Sequence, residues 1–175
     1  MTKFPFSTLL ETAKEKRIFW FYLLSSFATA VLGFLLINTL KFDGAFGFGI
    51  HMPSYHYEHF MQYIIIPCFF FSMLAVRLAK KFLLANMLKR IFYILFMAIA
   101  TIFLSSPFGG FLFHFHDMMA GYFPEDYLSK LLIYAPLMGL QYGWAIILGA
   151  FPYTPLGIIV SYFIMLKGAR RYLAV

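Results

Sequence analysis

The sequence is poor in charge and has a single cysteine. Charged residues make up 12% of the chain and hydrophobic residues 62%, whereas a soluble domain carries roughly 25% charged residues. A soluble domain of 175 residues has too little interior to hide that much apolar surface. Cys68 alone allows no intrachain disulfide and no CxxC redox or zinc motif. We therefore expect an all-α membrane protein with one polytopic domain.

Catalytic motifs are also lacking. The sequence contains no HExxH, GxSxG or Walker-type motif. Its apolar runs hold no Asp, Glu, Lys, Arg or His at mid-depth, where proton relays and ion-coupled transporters need ionisable groups. An intramembrane hydrolase would need a polar nucleophile and a base at that depth. The sequence therefore predicts a protein that is neither an enzyme nor a pump.

Positive charge is present in three clusters between long apolar runs. Because basic loops are retained on the cytoplasmic side of a membrane, we expect both termini and the 77–90 loop to be cytoplasmic. The formal charge of +7 does not predict nucleic-acid binding, since the cations flank apolar spans instead of forming a separate basic face. The clusters are Lys3, Lys14, Lys16 and Arg17; Arg77, Lys80, Lys81, Lys89 and Arg90; and Lys167, Arg170 and Arg171.

Four membrane-spanning helices are predicted, at about residues 18–40, 60–78, 88–106 and 143–166, each near the roughly 20 residues needed to cross a bilayer. The first is longer than the apolar core of a cleavable signal and is interpreted as a retained anchor. Pro67 should kink the second span. The sequence Pro107-Phe108-Gly109-Gly110 should end the third.

The uncharged stretch 131–166 permits two topologies, because one upright helix of that length would exceed a hydrocarbon core of about 30 Å. In the first, residues 126–141 are interfacial or re-entrant and 143–166 forms the fourth span. In the second, the stretch crosses twice, which gives five spans and an external C-terminus. The C-terminal cations favour four spans, and five spans is the alternative.

The histidines all fall on the predicted external side. His56 and His59 would share a helix face, and His114 and His116 would lie on one side of an extended segment. Imidazole groups from these pairs could bind zinc or copper. Histidines and aromatic residues also collect at bilayer boundaries without binding metal, so both interpretations stand and no other cofactor is predicted.

Small residues recur at helical spacing in two of the apolar runs. Ser25, Thr29 and Gly33 share one face of the first span, and Gly139 and Gly143 form a GxxxG motif. Such residues let helix backbones approach closely, within one chain or between protomers. Polar residues in the spans could line a pore made by several copies, although hydrogen bonding between helices is the favoured interpretation. These are Asn38, Gln62, Thr101, Ser105 and Gln141.

The favoured function is that of a small non-enzymatic protein of the bacterial cytoplasmic (inner) membrane. It would act as a subunit or homo-oligomer of a membrane complex, through contacts with partners in the lipid bilayer. The 77–90 loop would dock an acidic cytoplasmic partner through Arg77, Lys80, Lys81, Lys89 and Arg90, or would serve only as a topology signal. The alternatives are a metal or redox protein that uses the external histidines, and an oligomeric pore or membrane component of a defence or immunity system.

Overall fold

The computed structural model of the chain describes residues 12–41, 64–122, 128–149 and 153–173. Over these ranges the chain is all-helical and contains no strand, which confirms the predicted helical fold class for this part. The helices are α1 (Ala13–Lys41), α2 (Ile66–Leu84), α3 (Met87–Met119), α4 (Leu128–Gly149) and α5 (Thr154–Leu173).

Local sequence signals explain where the first three helices begin. Thr12 precedes α1 and forms a capping box, in which Glu15 N donates to Thr12 Oγ1 and Thr12 N donates to Glu15 Oε2, both at 3.1 Å. Asn86 precedes α3, and its Oδ1 accepts from Lys89 N at 3.0 Å. Pro67 lies in the first turn of α2, directly after the π-helical turn of Ile64 and Ile65. The residues that precede this turn lie outside the described ranges, so the kink at Pro67 stays a prediction.

The third helix is longer than the sequence predicted. It runs for 33 residues and passes through Pro107, so the predicted break at Pro107-Phe108-Gly109-Gly110 is wrong. A proline inside a helix frees one backbone carbonyl, and apolar helices tolerate this where neighbouring helices support the segment. Here α4 packs along this part of α3.

The C-terminal helices divide the uncharged stretch differently from the prediction. Residues 128–149 form one helix, α4, where an interfacial or re-entrant segment was expected at 126–141. The proposed span 143–166 corresponds to the end of α4 and much of α5, with Tyr153 in a turn between them. The stretch therefore supplies two helices of 22 and 20 residues, each about 30 Å long.

α3 lies between the other helices of the bundle. α3 contacts both α2 and α4, while α5 packs on α1, α2 and α3. α2 and α3 are antiparallel, because Phe82 lies near Arg90 and Phe70 lies near Phe108. The buried core joins α1, α2, α3 and α5, and consists of Ile18, Tyr22, Ala75, Ala79, Phe82, Ile94, Met97, Met165 and Ala169.

Among the described residues, two helices are long and apolar enough to cross a membrane. They are Ala13–Leu36 of α1, with a mean hydropathy of 1.9, and Met87–Met119, with a mean hydropathy of 2.1. Only 17% and 28% of the residues in their most apolar windows are buried. A core helix of a soluble protein is buried on most of its apolar face, whereas these helices leave large side chains such as Leu32 and Phe92 exposed.

Candidate functional site

The basic clusters of three different chain segments meet at one end of the bundle. Each cation of the three clusters that the structure describes lies within about one and a half helical turns of a core residue on its own helix, and those core residues form one cluster. We call this surface the basic end. Its cations are Lys14, Lys16 and Arg17 of α1; Arg77, Lys80 and Lys81 of α2; Lys89 and Arg90 of α3; and Lys167, Arg170 and Arg171 of α5.

The basic end carries almost no compensating negative charge in the described part of the chain. The two acids in that part are Glu15, which caps α1, and Asp117, which lies near the far end of α3. Every cation of the basic end is exposed except Arg90, which is half-buried. The surface therefore attracts anions, with the strongest attraction within about 8 Å at physiological salt.

Arg90 differs from the other residues predicted to dock a partner. Its Nε donates to Phe82 O at 3.1 Å and its Nη2 to Leu83 O at 2.8 Å. The guanidinium carbon also lies 5.7 Å from the centre of the Phe82 ring. Arg90 thus satisfies carbonyls at the C-terminus of α2, where a cation also complements the helix dipole. The exposed docking candidates are Arg77, Lys80, Lys81 and Lys89.

Replacing Arg90 should destabilise the α2–α3 turn. Arg90→Ala removes two hydrogen bonds to carbonyls and a cation–π contact, so we expect a loss of about 1–3 kcal/mol in unfolding free energy. Lys89→Ala is the matched control, because only the backbone N–H of Lys89 takes part in the Asn86 cap. Thermal unfolding in detergent measures both, and equal stability of the two variants would contradict this role for Arg90.

Helix α5 is held against the basic end by a buried tyrosine. The Tyr22 hydroxyl of α1 donates to Met165 O of α5 at 3.2 Å, and Tyr22 is fully buried. A Cβ at Gly168 would meet the Tyr22 ring, so the ring lies directly on the α5 backbone. One turn earlier on the same face of α5, Tyr162 packs edge to face against Phe82 of α2 at 5.6 Å between ring centres. The start of α1 and the end of α2 therefore meet the same helix.

Of the four predicted metal ligands, the described structure places the side chain of His114 alone, so the metal site stays a prediction. His56 and His59 lie outside the described residues, and the side chain of His116 does too. His114 and His116 are both in α3, so the predicted extended segment is wrong, and a spacing of two in a helix turns side chains about 200° apart. His114 is buried, with Nδ1 2.9 Å from Gly110 O. No group of three His, Cys, Asp or Glu that could hold a metal occurs among the described residues.

The predicted GxxxG residues lie on the seam between α3 and α4. A Cβ at Gly139 would meet Ser106 O, and one at Gly110 would meet Ala135 O and come within 3.0 Å of Gly139 Cα. A Cβ at Gly143 would lie 2.6 Å from Ser106 Oγ. The sequence interpretation missed Ser106 and Gly110, because it placed a break there. The signal was present, since Ser106 and Gly110 form a small-xxx-small pair inside an apolar run.

The small residues of α1 have a different environment. Thr29 Oγ1 donates to Ser25 O at 2.8 Å, a bond within the helix. A Cβ at Gly33 would meet nothing within 4 Å. Gly33 therefore makes no close helix contact within the described chain, and a contact with another protomer stays a prediction.

The polar residues suggested for a pore make no hydrogen bond to another helix where the structure describes their side chains. Thr101 and Ser105 are buried on α3, yet neither makes the expected bond to another helix. Ser105 Oγ is 3.5 Å from Ile102 O in its own helix, and Thr101 Oγ1 has no hydrogen-bond partner. Gln141 is exposed, and the side chains of Asn38 and Gln62 lie outside the described residues.

Comparison of the chain with protein-family models, curated proteins and solved structures finds no significant match.

Proposed function

We propose that this chain is a small non-enzymatic protein of a bacterial cytoplasmic membrane, and that it works as a subunit or homo-oligomer of a membrane complex. The observation that carries the proposal is the basic end, where cations from distant parts of the sequence share one end of a bundle of apolar helices. Positive charge gathered at one end of apolar helices is typical of a multi-pass protein with that end in the cytoplasm.

The proposed topology has four crossings, with α1 to α4 spanning the bilayer. α3 and α4 are antiparallel, since Ser106 lies against Gly139 and Gly110 against Ala135. α2 and α3 are antiparallel as well, and α1 and the end of α2 both contact α5. α4 takes the place of the span first predicted at 143–166. α5, with its C-terminal cations, then packs at the cytoplasmic end and keeps all three clusters on one side, as the positive-inside bias favours.

A role through partner contacts is supported by the surfaces that the helices leave open. Large apolar side chains are exposed along α1 and α3, among them Leu24, Leu36, Phe96 and Phe103. In a membrane such surfaces face lipid or other transmembrane helices. At the basic end, Arg77, Lys80 and Lys81 lie on the last two turns of α2 and Lys89 on the first turn of α3, with no acid beside them in the described chain, which suits an acidic cytoplasmic partner.

The proposal is tested by the mass of the assembly extracted from native membranes with its surrounding lipid. We expect assemblies larger than the 20.3 kDa chain plus its lipid. A variant with Arg77, Lys80, Lys81 and Lys89 changed to Gln should lose an acidic protein partner, because it removes four exposed charges. Changing Lys14, Lys16 and Arg17 to Gln is the control at the same end. A monomer in every preparation would contradict the proposal.

A further inference from the structure

Helix α5 has two faces with different surroundings. Its inner face packs on the core through Ile158, Tyr162, Met165 and Ala169, which recur at the spacing of three and four residues that defines one side of a helix. Its outer face is exposed and changes character along the helix. The N-terminal half of that face carries Leu156, Ile159, Val160 and Phe163, and the C-terminal half carries Lys167, Arg170 and Arg171.

A groove lies where the apolar and cationic halves of the outer face meet. It has a volume of about 590 Å³ and is lined by Phe163 and Leu166 together with Lys167, Arg170 and Arg171. The groove is shallow and open, and all five residues that line it lie on α5, so a phospholipid headgroup and glycerol would rest on it without being enclosed. The apolar side chains continue from Phe163 back to Leu156, about 10 Å along the helix axis.

We infer that this groove is a binding site for an anionic phospholipid. The phosphate and headgroup would lie among Lys167, Arg170 and Arg171, and an acyl chain would follow the apolar half of α5. Charge complementarity supports this occupant, since no acid lies on described residues of α5. Arginine and lysine bind phosphate through charge-assisted hydrogen bonds. A free phosphate ion would gain nothing from the exposed apolar stretch, whereas a lipid uses both halves of the face.

The inference rests on the membrane location in the proposed function, so membrane fractionation of the wild-type chain comes first. The full chain is then purified in a non-ionic detergent, and bound lipid is counted by native mass spectrometry. The probes are phosphatidylglycerol, phosphatidylcholine with the same acyl chains, and glycerol phosphate without chains. We expect the wild-type chain to retain phosphatidylglycerol in preference to the other two.

The matched variants separate a site from general surface charge. Lys167→Gln, Arg170→Gln and Arg171→Gln combined should weaken phosphatidylglycerol binding about tenfold or more, given the attraction of each cation to anionic lipid. Lys80→Gln, Lys81→Gln and Lys89→Gln combined remove the same charge from the same end and should leave this binding nearly unchanged. Phe163→Ser should weaken phosphatidylglycerol without affecting glycerol phosphate. Thermal unfolding shows that the variants are folded.

Three results would overturn the inference. Equal losses in the two triple variants would assign the binding to surface charge in general. Equal binding of phosphatidylcholine would remove the preference for an anion. Tighter binding of an acidic peptide, such as polyglutamate, with the same dependence on Lys167, Arg170 and Arg171 would identify a protein as the occupant. Absence of the wild-type chain from membranes would instead refute the proposed function.

Discussion

Gly110→Ala and Gly139→Ala should each separate α3 from α4 and lower the unfolding free energy by about 3 kcal/mol or more. A methyl group at Gly110 would overlap Ala135 O, and one at Gly139 would overlap Ser106 O. Both obstacles are backbone atoms, so no side-chain rotation relieves the overlap and the helices must move apart. Overpacking of a close contact commonly costs about 1–3 kcal/mol when side chains can adjust, and here they cannot.

Gly33→Ala is the matched control for the seam variants. A Cβ at Gly33 meets nothing within 4 Å, and alanine is favoured over glycine in a helix by up to about 1 kcal/mol. We expect this variant to be as stable as the wild type or slightly more stable. Thermal and denaturant unfolding in the same detergent measure all three variants. If the seam variants unfold at the same temperature as Gly33→Ala, the close packing of α3 on α4 is not a determinant of stability.

Gly168→Ala should detach α5 from α1, the second large effect. The added methyl would occupy the space of the Tyr22 ring, which is fully buried, and buried side chains are close-packed. Displacing the ring also breaks the bond from the Tyr22 hydroxyl to Met165 O. We expect a loss of about 2–3 kcal/mol, from overpacking and from a buried hydroxyl without its partner.

Two comparisons isolate this effect. Gly157→Ala places the same methyl on α5 where nothing lies within 4 Å, so its stability should match or exceed that of the wild type. Tyr22→Phe keeps the ring and removes the hydroxyl, and should cost only about 1 kcal/mol. We therefore expect the unfolding temperature to be highest for Gly157→Ala, lower for Tyr22→Phe and lowest for Gly168→Ala. A Gly168→Ala protein as stable as Gly157→Ala would disprove the contact.

The helical class was predictable because the physical signal is strong over long segments. Apolar runs interrupted by clustered cations predicted helices, and the described residues form helices. The boundaries near Pro107 were not predictable from local rules. Proline followed by Gly109-Gly110 is a strong break signal in isolation, but Gly110 is instead the position that lets α4 approach. A glycine that ends a helix can be told from a glycine that lets a second helix pack closely only when the two paired segments are known.

The sequence predicted which charged residues form the candidate site, but not the contacts that each of them makes. Clustering identified Arg77, Lys80, Lys81, Lys89 and Arg90 as one basic loop, but charge alone could not separate Arg90, whose guanidinium binds Phe82 O and Leu83 O. The helical C-terminus that needs this cation appears only once the end of α2 is known.

The proposed lipid binding by α5 depends on two features: the cations lie in its C-terminal half, and only its inner face packs against the core. A kinked span through 143–166 would have placed the apolar half of α5 inside the bilayer core, and so obscured its outer face. The burial of Met165 and Ala169 against α1 to α3 shows which side remains open.

The 33 residues of α3 carry a consequence for the surrounding lipid. At 1.5 Å per residue the helix is about 50 Å long, and the hydrocarbon region is about 30 Å thick. A typical tilt of about 20° reduces the extent of the helix along the membrane normal by only a few ångströms. About 17 Å of α3 would therefore extend beyond the hydrocarbon region. Such a protein has a positive hydrophobic mismatch, and in the proposed orientation it should favour and recruit thicker bilayers.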